Sequence, residues 1–253
     1  MSGATQTVAS VQADHERLSA LQSGQVESRT LTECLAVDFS LLARCLDGLG
    51  EADVAQIKGW AKQGITRRMQ AMGDLLRTRL GEQAAEALAV HPSDTVRGWA
   101  AYMIAGRAAG ALSDRLQAMR SLADDPHFGV REWAWLALRP HLAADLPQAI
   151  QLLTPWTGEG SDYLRRFASE ATRPRGVWCS HLPLLKAQPG LALPILEPLR
   201  ADPSPYVQDS VANWLNDAAK SQPDWVRDLC AQWSAAEDSP ATERICKRAQ
   251  RSL

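Results

Sequence analysis

The chain of 253 residues is poor in β-branched apolar residues, with 12 Val and 6 Ile against 40 Ala and 32 Leu. Unbranched helix formers therefore supply most of its apolar surface, and an extended sheet has little to build on. An all-α protein is expected. No run approaches the roughly 18 consecutive apolar residues of a membrane-spanning helix. The segment Met1 to Glu27 lacks a basic start followed by an apolar block, so it does not read as a secretory signal. The five cysteines, Cys34, Cys45, Cys179, Cys230 and Cys246, form no CxxC pair. Neither a disulfide framework nor a zinc site is indicated, and a reduced, cytoplasmic chain is the expectation. His15, His91, His127, His141 and His181 are scattered, without HxxxH or HExxH spacing, and no Gly-rich loop offers a phosphate cradle. Thus no metal and no cofactor are expected. An excess of positive charge is also missing, with 27 Lys plus Arg against 29 Asp plus Glu and a net charge of -2. Binding to nucleic acid would require a local basic face.

What the chain does have is helical periodicity. Residues 1–28 are rich in Ser, Thr, Gln and Ala and read as a flexible tail with a short helix near 14–21; residues 29–253 read as one repeat domain. Leu31, Leu35, Phe39, Leu42 and Leu46 are spaced as one apolar helix face. Beyond them, helical blocks alternate with short connections carrying Pro, Gly, Asp or Ser. Some of these blocks repeat. Thr95-Val96-Arg97, Gly129-Val130-Arg131, Tyr163-Leu164-Arg165 and Tyr206-Val207-Gln208 each follow a turn and open a helix. Spacings of about 34 to 43 residues are those of two-helix HEAT repeats. Each such unit cannot bury its apolar face alone, so stacking supplies the core. The expected architecture is a right-handed α-solenoid of HEAT-like helix pairs with a concave face lined by the second helices.

Those second helices carry polar stripes beside their apolar ones. Glu132, Trp135 and Arg139 share one stripe, Arg166, Glu170 and Arg173 a second, and Asp209, Asn213, Asp217 and Lys220 a third. A stripe of this kind is ordinarily a solvated face. Glu170 and Arg173 are also spaced as an ordinary i,i+3 ion pair, and Trp135 is as well suited to packing against a neighbouring repeat.

The stretch Arg165-Arg166-Phe167-Ala168-Ser169-Glu170-Ala171-Thr172-Arg173-Pro174-Arg175-Gly176-Val177-Trp178 is more specific. It resembles a signature of the HEAT-like-repeat DNA alkylation-repair glycosylases, the AlkC/AlkD superfamily, on the AlkC branch. Leu31 to Asp38, Ser93 to Ala100 and Val211 to Lys220 resemble further blocks of that family. The resemblance implies a monofunctional glycosylase that excises cationic N-alkylated bases, of the 3-methyladenine and 3-methylcytosine class, from double-stranded DNA. It implies a monomer in the cytoplasm, associated with the nucleoid through DNA.

Carried over residue by residue, the resemblance gives Glu132, Glu170 and Asp217 as carboxylates near the sugar and Trp178 as the aromatic of the site. Arg131, Arg165, Arg166, Arg173, Arg175, Trp135 and Asn213 become DNA contacts. An N-alkylated base is already a cationic leaving group, so no acid is needed to protonate it. Carboxylates would stabilise an oxocarbenium-like sugar and orient water. The chain departs from the family pattern at Gln208 and Asp209, where arginines are usual, and at Trp214, where a His is common. It also leaves no room before Leu253 for the immunoglobulin-like domain of some members. Two other readings stay open: a DNA-structure-binding solenoid without excision, and a HEAT-type protein-interaction scaffold.

Overall fold

The computed structural model describes residues 8–236 and 238–253, and every regular element among them is helical, with no strand. No helix among the described residues is long and apolar enough to cross a membrane. The chain divides into two compact units. The first comprises the chain up to Ala108 together with His127–Trp133; the second comprises Ala109–Pro126 and Ala134–Leu253.

In the first unit the core forms where helices Ile65–Leu80 and Asp94–Ala105 cross. Met69, Met72, Leu76, Trp99 and Met103 are fully buried there, and Phe39 meets the Trp99 ring edge-on at 5.2 Å. The crossing is tight because Gly73 has no side chain. A Cβ at this position would lie 2.6 Å from Tyr102 Cβ and 2.9 Å from the Tyr102 carbonyl carbon. In the second unit, helices Asp162–Ala171, Pro205–Ala219 and Pro240–Ala249 pack in succession. Their shared core includes Leu164, Phe167, Val211, Trp214, Leu215 and Ile245.

The expected repeat falls in register with the helices. Helices begin at Asp94, Phe128, Asp162 and Pro205, and the aligned residues Val96, Val130, Leu164 and Val207 are all buried. The residue after three of these positions, Val96, Leu164 and Val207, has a task at the turn. Arg97 donates to the carbonyls of His91 and Pro92, at 2.8 and 3.3 Å. Arg165 donates to the carbonyls of Glu159 and Gly160, at 2.9 and 3.0 Å, the same six and five residues upstream. Gln208 makes the six-residue bond alone, from Nε2 to the Asp202 carbonyl at 2.8 Å. These carbonyls belong to the turn entering the helix and would otherwise lack an intrahelical partner. Each guanidinium also takes a carboxylate, Glu27 for Arg97 and, bidentate, Asp202 for Arg165. The turn–Val–Arg signature is thus a device that closes the inter-helix turn.

Three details depart from the sequence reading. Leu31 to Leu46 is not one helix but two, Leu31–Ala36 and Phe39–Ala43. Asp38 separates them by accepting from the Ser40 N–H at 2.8 Å, the local capping that lets Asp compete with a continuing helix. Leu31 and Leu35 consequently stay exposed while Phe39 and Leu42 are buried. Helix Phe128–Ala144 runs through Pro140 rather than stopping there, anchored by the fully buried Leu138 and Leu142 on either side. Finally, part of the expected tail is ordered. Val8–Gln22 is a helix, Arg17 pairs with Glu33 at 3.0 Å, Leu21 is buried, and Ser28 donates to Asp94 from N and Oγ at 2.9 and 2.7 Å. Residues 1–7 of that tail lie outside the described residues.

Two glycine substitutions separate helix propensity from packing. Gly73→Ala gains about 1 kcal/mol of propensity but must push the Tyr102 backbone away, at about 1–3 kcal/mol or more. Gly59 has open space around its position, so Gly59→Ala gains propensity without a clash. Urea unfolding should show Gly73→Ala destabilised and Gly59→Ala unchanged or more stable than the parent.

Candidate functional site

The 165–178 motif lies within the second unit, and its charged residues converge with those of helix Pro205–Ala219. Arg166, Glu170 and Arg173 share one face of helix Asp162–Ala171 and its C-terminal turn, at spacings of four and three. Ser210 and Asp217, seven apart, share one face of Pro205–Ala219. The two faces meet in an ion-pair network centred on Arg173. Its Nη1 donates to Glu170 Oε1 at 2.7 Å; its Nε and Nη2 donate to Asp217 Oδ2 at 3.0 and 2.7 Å. Glu170 Oε2 accepts from the Ser210 hydroxyl at 2.7 Å and lies 3.5 Å from Arg166 Nη2. Lys220 Nζ donates to Asp217 Oδ1 at 3.2 Å.

Both carboxylates are enclosed, with Glu170 3% and Asp217 4% exposed. Burial pushes the Glu170 carboxyl upward. The charges of Arg166 and Arg173, with hydrogen bonds from Arg173 and Ser210, outweigh it and hold this group below the ordinary range. Burial likewise works against the charge on Arg173, yet Glu170 and Asp217 keep its pKa above the usual value. Glu170 is therefore a hydrogen-bonded carboxylate at neutral pH and a poor proton acceptor. Around the two carboxylates stand more cations than they neutralise: Arg166, Arg173 and Lys220 in the ion pairs, and Arg175, which donates to the Asp217 carbonyl at 3.3 Å and to Ser221 Oγ at 2.8 Å. The cluster is thus locally basic within a chain of net charge -2.

Beneath the network, Arg139 organises the turn that follows the helix. Almost wholly buried, it donates to the carbonyls of Ala171, Arg173 and Ser180, at 2.9, 2.6 and 3.3 Å. Its guanidinium lies 6.0 Å from the Trp135 ring centroid. The turn closes through the Leu182 N–H on the Pro174 carbonyl at 3.0 Å. At its outer edge stands Trp178, 43% exposed, with a φ of 61°. A left-handed backbone at a non-glycine residue costs about 1–2 kcal/mol, and such strain gathers at functional positions.

The sequence-predicted residues thus separate. Glu170, Asp217, Arg166, Arg173 and Arg175 come together, and Trp178 is displayed on the adjoining turn. Glu170 and Arg173 do form the i,i+3 pair that their spacing allowed. Arg165 does not join them, being committed to Asp202 and its turn carbonyls. Trp135 is buried rather than on a polar surface stripe, and Arg131 is buried at the repeat position equivalent to Arg97. Asn213 accepts from Arg251 at 2.8 Å. Glu132 is half-buried and belongs to the first unit. The departures also find their reasons. Gln208 serves the turn, Asp209 pairs with Arg244 and Arg248, and the buried Trp214 indole N–H donates to the Thr172 carbonyl at 3.0 Å. Ser210 is the participant that sequence reasoning missed, and the seven-residue spacing of Ser210 and Asp217 was the available signal. Arg139 stood on a predicted polar stripe with Glu132 and Trp135, without a role in the site, and the structure buries it instead.

The region that holds this network is similar to known proteins. A model of HEAT repeats matches residues 81–172, and a model of DNA alkylation repair enzymes matches residues 130–244, which contain the whole network. The chain is similar to a solved structure of Pseudomonas fluorescens alkylpurine DNA glycosylase AlkC bound to DNA containing an abasic site analog. The identity there is 27% and the TM-score 0.68, covering 94% of this chain and 62% of that one. Residues 130–244 thus carry the domain of DNA alkylation repair enzymes, on the HEAT-like-repeat fold that AlkC has. AlkD2 from Streptococcus mutans shares the fold at 20% identity and a TM-score of 0.59, over 94% of this chain and 98% of that one. The curated uncharacterized protein YhaZ of Bacillus subtilis is 31% identical over 204 residues, 79% of this chain and 56% of that protein. The chain therefore spans less than two thirds of the length of both YhaZ and AlkC.

Two outcomes follow from these ion pairs. Glu170 has a folded pKa below its ordinary 4.5, so its stabilising contribution is fully present above that pH and is lost as pH falls through the folded value. Glu170→Gln should cost on the order of 3 kcal/mol at neutral pH. The gap from the parent should shrink below pH 4.5, as read by urea unfolding across a pH series. Arg165→Gln should lower stability by a similar order, about 3 kcal/mol, and leave the affinity for duplex DNA unchanged in an anisotropy titration.

Proposed function

We propose that this protein is a monofunctional DNA glycosylase that releases cationic N-alkylated bases from double-stranded DNA. The observation that carries the proposal is the pair of buried, ion-paired carboxyl groups, Glu170 and Asp217, inside a surplus of cations, with an exposed indole on the next turn. The cations would hold backbone phosphates and set register. The carboxylates would supply fixed negative charge to a sugar that becomes oxocarbenium-like as the bond breaks. Because the Glu170 pKa is lowered, its contribution is electrostatic; a water held by the carboxylates needs no strong base to attack so reactive a carbon. A cationic lesion departs without protonation, and its charge would be attracted to the Trp178 face by about 0.5–2 kcal/mol. The resemblance adds Glu132 as a further carboxylate, to be tested separately. Lesions of the 3-methyladenine and 3-methylcytosine class are the expected substrates, and the reaction calls for no cofactor.

The second reading, DNA binding without excision, is favoured by the same network seen from its other side. Arg173 already occupies both carboxylates, and neither is open to solvent. A developing sugar cation must compete with that guanidinium.

Incubation with methylated genomic DNA and analysis of the released bases decides between the two. The parent should release cationic bases, and Glu170→Gln should slow release by about 10²–10³ with DNA affinity retained. Uncharged lesions with stable glycosidic bonds should not be processed. Binding without any release would establish the second reading, and a fully active, folded Glu170→Gln would remove Glu170 from the mechanism. Affinity for duplex DNA should also fall with salt, with a log–log slope of about -0.9 per phosphate neutralised. Changing Arg175 and Lys220 together to Gln should flatten that slope.

A further inference from the structure

Away from this network, the first unit holds a cavity of about 220 Å³ between the paired short helices near the N-terminus and helices Glu51–Gly59 and Ile65–Leu80. Phe39, Ile57 and Leu35 give it an apolar wall, and Lys58 and Arg68 give it two cations. Arg68 is unusual among the arginines of this chain. Its guanidinium lies 4.9 Å over the Phe39 ring, its Nε is buried and bonds nothing, and no carboxylate or carbonyl among the described residues accepts from it. Burial draws its pKa down, opposed only by Asp38. The Lys58 ammonium likewise makes no hydrogen bond among the described residues. Asp38 is the one acidic group lining the cavity, and its Oδ1 is committed to the Ser40 N–H and hydroxyl at 2.8 and 2.7 Å. The lining therefore carries one net positive charge, with the Arg68 side chain half-buried.

A guanidinium held over an aromatic ring without an acceptor is a fork with nothing in it. Its donors match two oxygens of a planar or tetrahedral oxyanion, and an adjacent ammonium adds a point charge. A single net positive charge suits a singly charged phosphate ester. The apolar wall suits the organic group that such an ester carries.

We propose that this cavity is a phosphate-binding site, with Arg68 as the principal ligand and Lys58 as the second. The phosphate chemistry has two possible sources, a nucleic-acid backbone and a free phosphate ester. The site belongs to the first unit, shares no residue with the Glu170 network and does not depend on the glycosylase reading.

The test uses the full chain at low ionic strength, with inorganic phosphate as one probe and a short unmodified duplex as the other. Arg68→Met keeps an unbranched stem over Phe39 and removes the charge; Lys58→Gln alters an exposed position and serves if the first variant fails to fold. Phosphate should raise the melting temperature of the parent saturably, and Arg68→Met should bind it at least about tenfold more weakly, with a smaller loss in Lys58→Gln. Without phosphate, Arg68→Met should melt no lower than the parent, because a half-buried charge with an unbonded Nε has been removed. If duplex affinity also drops in Arg68→Met and its salt slope shrinks by about 0.9, the phosphate is that of the nucleic-acid backbone. If duplex binding is unchanged while phosphate binding is lost, the source is a free ester. Equal phosphate stabilisation of parent and both variants, together with unchanged duplex binding, would overturn the site. None of these readouts involves base release, so failure here leaves the glycosylase reading untouched.

Discussion

The shared guanidinium of Arg173 is the interaction on which the candidate site depends. Two carboxylates from different helices, Glu170 and Asp217, are taken out of water and given one counter-ion between them. Burial works against the charge on Glu170, and Arg166, Arg173 and Ser210 together outweigh it, while Lys220 completes the partners of Asp217. The network is thus assembled by folding itself. The same bridge fastens helix Asp162–Ala171 to helix Pro205–Ala219, so the electrostatics and the packing of successive repeats share their parts.

The arginines of this unit look alike in sequence and divide sharply by task. Arg165 closes a turn, Arg139 holds the carbonyls beneath the Trp178 turn, Arg173 bridges two carboxylates, and Arg166 lies 4.5 Å over the Tyr206 ring beside Glu170. The division explains how the chain tolerates Gln208 where the family usually has arginine. The position serves the turn before the helix, and an amide reaches the Asp202 carbonyl as a guanidinium reaches those of its equivalents.

Much of the site was legible because it is local. Glu170, Arg166 and Arg173 lie within eight residues of one helix and its cap, and their i,i+3 and i,i+4 geometry is fixed by the helix itself. Asp217 was legible through its repeat register. Trp135 was misplaced because an indole on the edge of an apolar stripe reads equally as surface and as core, and only the neighbouring Arg139 and its repeat decide. The break at Asp38 was missed because five leucine-type spacings outweighed one capping side chain.

By itself, the sequence determined the helical class, the repeat register and the chemical inventory of the motif. These are properties of side-chain type and of spacing along one helix, which the backbone fixes before any tertiary contact forms. Only the tertiary structure decided which charges neutralise one another. Partners such as Arg173 and Asp217 are 44 residues apart. Which carboxylate lies within 3 Å of which guanidinium depends on how one helix is rotated against the next, and that rotation is set by the packing of buried residues such as Phe167, Val211 and Trp214.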